Sequence, residues 1–389
     1  MDKKKNVLAR IAMALGLLAA MATPLAGCSA EDASPKNVVF VLCNTQGNKA
    51  ADQDVVSHYL DEVCETHGTA AAIVCDGDPY VALEATEIGS NDSSEKSRRL
   101  ANDATVASLS SQMVSCAAES AEVDILKGID MAARISSSMP EGDTEIAVFS
   151  NGLQTTGLLQ WQEGLLNADP HEVADYYECE LPDLSGVSVT WHNLGETSEP
   201  QKAPSIAQRE SIQAVWEAVL SECGATVSFE EGVADGSVEG DLPSVTCIDM
   251  PEPVRFSLAD EEIVLPGNEV FGFEPDSAVL LDEAAAREAV ECLVAKNPGI
   301  RQLKLNVVGH TATVSTLEAD IAACDELGLQ RAERIASLFV EAGVPENNIT
   351  ISSRGSRDNV AERYDLDSAG RQIPAKAQAN RFVSVSFEE

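Results

Sequence analysis

The chain has 389 residues, enough for about two domains that each bury a core of their own. It is strongly acidic, with 64 Asp and Glu against 26 Lys and Arg and a formal charge of −38 at pH 7. Such a surface repels nucleic acid and anionic lipid headgroups, so direct nucleic-acid binding is excluded and basic partners or cations are favoured.

At the N terminus Lys3, Lys4, Lys5 and Arg10 precede a short apolar run, Ile11 to Ala22, and Leu25-Ala26-Gly27-Cys28 follows. The run falls short of the roughly 18 apolar residues of a membrane span, as does every later segment. This order resembles a bacterial lipoprotein signal peptide, with an ordinary secretory signal as the alternative. The resemblance implies that residues 1–27 are removed and that Cys28 becomes an acylated N terminus carrying a diacylglyceryl thioether and an amide-linked palmitate-type chain. Two or more chains anchor stably where one binds only marginally. The protein is then expected on the extracytoplasmic face of the cell membrane, or of the outer membrane in an organism with two. Residues 1–27 hold four of the basic residues and one acidic one, so the remainder carries a formal charge of −41.

Residues 28–36 read as a lipidated tether; its polar part, 29–36, spans at most about 30 Å when extended. Nine cysteines follow Cys28. With no C-x-x-C or Cys/His cluster, an extracytoplasmic setting suggests disulfides rather than metal sites. An odd count leaves one thiol free, and Cys43 is the candidate because it closes an apolar run and would be buried as a small hydrophobe.

From residue 37 to 229 short apolar runs alternate with helical periodicity. The expected elements are strand Val38–Leu42, helix Ala50–Glu65, strand Ala70–Val74, a polar helix Ser94–Ala118, helix Asp124–Ser136, and strand Glu145–Phe149. A helical stretch Glu172–Tyr177, strand Val187–Trp191, helix Ile206–Cys223 and strand Thr226–Phe229 complete the series. Continuous apolar strands separated by amphipathic helices argue for a doubly wound α/β domain with a parallel sheet covered on both faces. Residues 230–252 turn to Gly, Asp, Glu, Ser and Pro and read as a linker; a bridge between Cys223 and Cys247 would pin part of it. The remainder, 253–389, reads as strand Asn268–Phe273, helix Asp282–Lys296, strand Gln302–Val308, helix Asp325–Ala342, strand Asn348–Ser353 and strand Arg381–Phe387. Two βαβ units would feed one mixed sheet in an α+β domain.

Five stretches of this second half resemble the OmpA-like peptidoglycan-binding family. They are Val270-Phe271-Gly272-Phe273-Glu274-Pro275-Asp276-Ser277, Val308-Gly309-His310-Thr311, Leu329-Gln330-Arg331-Ala332-Glu333-Arg334-Ile335, Ala342-Gly343-Val344-Pro345 and Ala379-Asn380-Arg381-Phe382-Val383. The resemblance implies a groove for the diaminopimelate residue of a peptidoglycan stem peptide, with His310, Thr311, Arg331 and Arg381 as contact residues. A guanidinium fork matches a carboxylate and a carboxylate satisfies an ammonium. The family arginine falls on Arg331, but Ala312 stands where the family has its aspartate, which removes a charge-assisted bond worth about 1.5–3 kcal/mol. Glu318, Asp320, Asp325 and Glu326 are candidate replacements, against a reading as solvated loop charges. Arg331 also has a purely structural reading as a paired internal arginine. Cys292 and Cys324, the only cysteines of this half, are expected to bridge its two main helices. Asp365-Leu366-Asp367-Ser368-Ala369-Gly370 faintly resembles a calcium loop but lacks the remaining ligands, and reads as a surface turn.

The first half is similar to the von Willebrand factor A-like fold, on Val38-Val39-Phe40-Val41-Leu42, Asp124-Ile125-Leu126-Lys127-Gly128-Ile129 and Val148-Phe149-Ser150-Asn151-Gly152. Members with a metal site place aspartates after the first strand and before the later glycine. Here those turns read Cys43-Asn44-Thr45-Gln46-Gly47-Asn48 and Asn151. Amides and a thiol are poor ligands for Mg²⁺, so no metal is expected. Nor is a cofactor: His58, His67, His171, His192 and His310 are scattered, and no nucleophile elbow, phosphate-binding loop or His-Glu-x-x-His occurs. The expectation is a non-enzymatic tether between membrane and wall. The alternative is a surface protein whose first domain binds a protein partner while the second serves as a scaffold.

Overall fold

In the first half, alternate residues of each central strand enter different cores, so both faces of one sheet are buried. The computed structural model describes residues 34–360 and 363–388 apart from 231, 233–235, 237, 239, 251–261 and 268–269. Cys28, the segment before it and the tether up to residue 33 lie outside the described residues. The elements of this half are β1 (Lys36–Leu42), α1 (Gln53–Thr66), β2 (Thr69–Val74), β3 (Tyr80–Glu87), α2 (Glu95–Ser115), α3 (Ile125–Ser136), β4 (Asp143–Phe149), α4 (Pro170–Tyr177), β5 (Ser188–His192), α5 (Ile206–Glu222) and β6 (Thr226–Phe229). The sheet order is β3-β2-β1-β4-β5-β6. All neighbours are parallel except β2 and β3.

Val38, Phe40, Leu42, Ala70, Ala72, Ala147 and Phe149 pack with Val56, Leu60 and Val63 of α1. Val39, Val41, Ala71, Ile73, Ile146 and Val148 face the other way, onto Ile125 and Ile129 of α3 and Val215, Trp216 and Val219 of α5. Continuous apolar runs in β1 and β2 follow directly from this two-sided burial. Caps set the helix starts: Asp52, Ser94, Asp124, Asp169 and Ser205 each accept backbone N–H groups of the first turn.

The turns after β1 and β4 are joined by side-chain amides, while Asn44 Oδ1 is buried with no partner among the described residues. Asn48 Oδ1 accepts the Asn151 N–H at 2.8 Å, Asn151 Nδ2 donates to the Gly47 carbonyl, and Asn151 Oδ1 accepts from Leu153. Residues 244–250, expected within a linker, instead cross this end of the sheet. Ile248 and Met250 are buried in the core. Gln201 makes two bonds to the Ile248 backbone, and Glu122 accepts from the Thr246 N–H and hydroxyl.

In the second half come β7 (Glu262–Pro266), α6 (Glu283–Lys296), β8 (Lys304–His310), α7 (Glu318–Glu341), β9 (Ile349–Gly355), α8 (Pro374–Asn380) and β10 (Phe382–Glu388). Their sheet runs β7-β10-β8-β9, with β8 and β9 parallel and β10 antiparallel to both its neighbours. The first strand is thus Glu262–Pro266. The expected strand Asn268–Phe273 is corrected to a turn region in which Phe273 makes one isolated bridge to Leu280, Asn268 itself lying outside the described residues. One core joins Val290, Leu293 and Val294 of α6 and Ile335 and Phe339 of α7 to Leu305, Val307, Val383 and Val385 of the sheet.

The expected bridges are also corrected. All nine described cysteines are free thiols. Cys292 is exposed on α6, whereas Cys324 is buried near the start of α7 with its Sγ 3.6 Å from the Ala312 carbonyl, so the two face different surroundings. Cys223 is buried while Cys247 is exposed, and Cys43 is fully buried.

No helix among the described residues is long and apolar enough to cross a membrane.

The close approach of α7 to β8 depends on two glycines. A Cβ on Gly309 would stand 1.8 Å from the Gly328 carbonyl oxygen, and one on Gly328 would meet Ser353 Oγ at 2.3 Å. Gly328 within α7 costs about 1 kcal/mol of helix propensity, which the packing offsets. Gly309→Ala is expected to destabilise the protein by about 3 kcal/mol because only backbone can yield. A lowered urea midpoint against an unchanged Gly299→Ala control, whose site has nothing within 4 Å, is the measurement.

Candidate functional site

The end of β8, the middle of α7 and the start of β10 bring the sequence-predicted residues to one end of the second sheet. Arg331 projects from α7 and is only 4% exposed. Its Nε donates to the Ser277 carbonyl at 2.9 Å and its guanidinium lies over the Phe273 ring, 5.0 Å from the centroid. Burial first, and then the like charge of Arg381, pull its pKa down to about 10, with Asp276 partly opposing. The two guanidinium groups therefore lie near each other. Among the described residues no carboxylate forms an ion pair with Arg331.

Arg381 is differently placed. Its side chain pairs with Glu172 of α4 through both nitrogens, NH1 to Oε2 at 2.9 Å and NH2 to Oε1 at 2.7 Å. Gln378 and Gln372 add their side-chain oxygens at 3.1 and 3.3 Å.

His310 and Thr311 are both buried, and His310 Nδ1 and Thr311 Oγ1 have no hydrogen-bond partner among the described residues. The His310 ring stacks on Phe382 with centroids 4.1 Å apart, and Nε2 lies 3.5 Å from Ser384 Oγ. Thr311 is 3% exposed; its N–H donates to the Gly355 carbonyl and its own carbonyl accepts from Asn359. Of the four, Arg331 and Arg381 carry the positive charge, Arg331 buried and Arg381 half-buried.

The acids near the start of α7 are engaged locally. Asp325 is held by Arg357, Asp320 by the Ser315 hydroxyl, and Glu326 by Gln330, while Glu318 stays exposed in the first turn of α7. The carboxylate beside Ala312 is Asp365, which the sequence reading had left in a surface turn. It is fully buried, its Oδ2 accepts the Thr313 N–H at 2.9 Å, and its Oδ1 has no partner among the described residues. Gln372 donates to the Thr313 carbonyl at 2.8 Å and accepts from Arg381, so one loop, 365–373, links Asp365 to the second guanidinium. The only sequence signal was the Asp-x-Asp spacing; nothing in it distinguished a buried acid from a solvated one.

Comparison with known proteins supplies a family for this region. Residues 272–372 match the OmpA family, and the chain carries an OmpA family domain there. No curated protein matches the sequence. Among solved structures, the periplasmic domain of Helicobacter pylori MotB is 23% identical over 33% of this chain and 74% of its own, with a TM-score of 0.26. The peptidoglycan-associated lipoprotein from Burkholderia pseudomallei is 18% identical over 33% of this chain and 92% of its own, with a TM-score of 0.24. The OmpA-like domain of FopA1 from Francisella tularensis is 17% identical, covering 33% and 74%, also at 0.24.

The buried histidine gives the second half a defined acid sensitivity. Burial first, and then Arg363, push the His310 pKa down to about 4, whereas the unfolded chain titrates near 6.5. The unfolded state therefore binds the extra proton first. The stability held by neutral His310 is complete above about pH 6.5 and is lost as pH falls toward 4. Between pH 7 and pH 4.5, urea unfolding of the wild type should lose about 2–3 kcal/mol more than that of His310→Phe, which keeps the stack and removes the titration.

Proposed function

We propose that this chain is a lipid-anchored, non-enzymatic protein of the cell envelope that binds peptidoglycan without covalent attachment and so tethers membrane to wall. The observation that carries the reading is Arg331. It is a nearly sealed guanidinium with no carboxylate partner among the described residues, in a domain of the OmpA family. A buried charge without its counter-ion is costly, and a ligand carboxylate received by the guanidinium fork relieves that cost.

In this reading the stem-peptide carboxylate meets Arg331, and the ammonium that the family aspartate would receive is met by Asp365. Its free oxygen lies beside Ala312 through the bond to Thr313. His310 and Thr311 hold the loop in shape. The first half, whose sheet order and single antiparallel edge support the von Willebrand factor A-like reading, acts as the spacer on which this domain is carried.

The anchor is the lipobox cysteine. Cys28→Ser is expected to abolish palmitate incorporation and to shift the protein from the membrane fraction to the soluble one, as metabolic labelling and fractionation would record.

Co-sedimentation of the full chain, in detergent, with isolated peptidoglycan sacculi tests the groove. Arg331→Ala should weaken retention by at least about tenfold, the equivalent of one charge-assisted bond, while the thermal transition still reports a folded protein. Undiminished retention of a folded Arg331→Ala protein would overturn the reading.

A further inference from the structure

Helix α4 of the first half meets the second half at Arg381 and Arg371. Helix α4 presents Glu172 from its first turn, where the Asp169 cap accepts the Glu172 N–H at 3.1 Å and fixes the start of the helix. The carboxylate takes both terminal nitrogens of Arg381 in a fork-to-fork pair. This is the geometry that guanidinium recognition of a free carboxylate uses. Beside it, Arg371 donates to the Tyr176 carbonyl at 3.1 Å and lies over the Tyr176 ring, 4.6 Å from the centroid. The Tyr176 hydroxyl reaches Asp367 at 3.3 Å, and Ala375 of α8 joins the core of the first half. The contact is specific and two-sided, yet polar at its rim: the paired side chains of Arg381 and Glu172 retain 21% and 34% exposure.

We propose that Glu172 is a resident carboxylate of the groove that sets its affinity, occupying Arg381 until a carboxylate of the ligand displaces it. This rests on the peptidoglycan reading and deepens it, since it assigns the second guanidinium a competitor within the chain. The electrostatics require an acid there. Arg381 lies close enough to Arg331 for its charge to lower the Arg331 pKa, and a carboxylate on Arg381 relieves that repulsion when no ligand is bound. A carboxylate held in the same molecule acts at an effective concentration of millimolar or more, so an incoming group meets a competitor even when dilute. The apparent affinity falls by the fraction of molecules whose Arg381 is free. Because the pair is partly exposed, its hold is modest, and the expected penalty on binding is about three- to tenfold.

The test is co-sedimentation of the full chain with isolated sacculi, comparing wild type, Glu172→Gln, Arg371→Gln and Glu172→Gln combined with Arg331→Ala, each checked for an unchanged thermal transition of the second half. Glu172→Gln keeps the shape and removes the charge, and should bind about three- to tenfold tighter than wild type. Arg371→Gln loosens the same contact by removing the bond to the Tyr176 carbonyl and should shift affinity in the same direction. The combined variant should lose binding, which places the gain in the groove. Equal or weaker binding by folded Glu172→Gln and Arg371→Gln, with wild type retained, overturns the resident-carboxylate proposal and leaves the peptidoglycan reading standing. Absence of retention for wild type and both single variants overturns the two together.

Discussion

Two arginines drawn into one groove of a very acidic protein form the constraint around which the rest is arranged. Arg331 is taken out of water by Phe273, the Ser277 carbonyl and the body of α7, and it stands close enough to Arg381 for the like charge to lower its pKa. Such a pair is tolerable only if carboxylates are at hand. The chain supplies two from distant parts of the sequence. Glu172 of the first half pairs with Arg381, and Asp276, in the turn that leads to Ser277, partly opposes the lowering at Arg331. The Glu172 side chain stays partly exposed in that pair.

That arrangement explains why a family resemblance in sequence located the site without describing it. Arg331 and Arg381 were legible because their flanking residues follow a recognisable order. The side chains that make them a site were not. Glu172 and Arg381 are 209 residues apart, and no local pattern announces a pair of that separation. Asp365 sits in a Gly-, Ser- and Asp-rich stretch whose composition reads as a surface turn, yet the loop 365–373 folds back onto Thr313 and buries its first acid. His310 belongs to the motif, but nothing in the motif shows that its ring stacks on Phe382.

The same logic separates the elements that were found from those that were missed. Strands β1 and β2 are buried on both faces and so appear as unbroken apolar runs; β3 has an exposed half and an irregular register against β2, and it left no such signal. Val270, Phe271 and Phe273 looked like a strand because they are apolar, but they pack around α6 and α7 from a turn while Glu262–Pro266 takes the edge of the sheet. Helix α8, only seven residues long, carries too little periodicity to be seen. The pairing of Cys292 with Cys324 rested on their being alone in their half. Counting cannot show that one lies on an exposed face of α6 and the other beneath the Ala312 loop. Residues 244–250 look like linker by composition, yet Ile248 and Met250 are buried as apolar anchors, with Gln201 bonding both the N–H and the carbonyl of Ile248.

The charge of the whole chain bears on how such a groove would work. A protein with 64 acidic residues surrounds two guanidiniums with a strongly negative field, which slows the approach of an anionic ligand and weakens as salt is added. The Arg331 guanidinium is nearly buried, and a charge brought against it would be much less screened. In the proposed complex the two terms would act on different steps: the field on the rate of encounter, the buried guanidinium on the lifetime. Selectivity would then fall to a carboxylate whose geometry fits the fork, since the acidic surface offers an anionic ligand no general attraction. On the proposed role of Glu172, a displacing group would have to replace the two bonds it makes to Arg381.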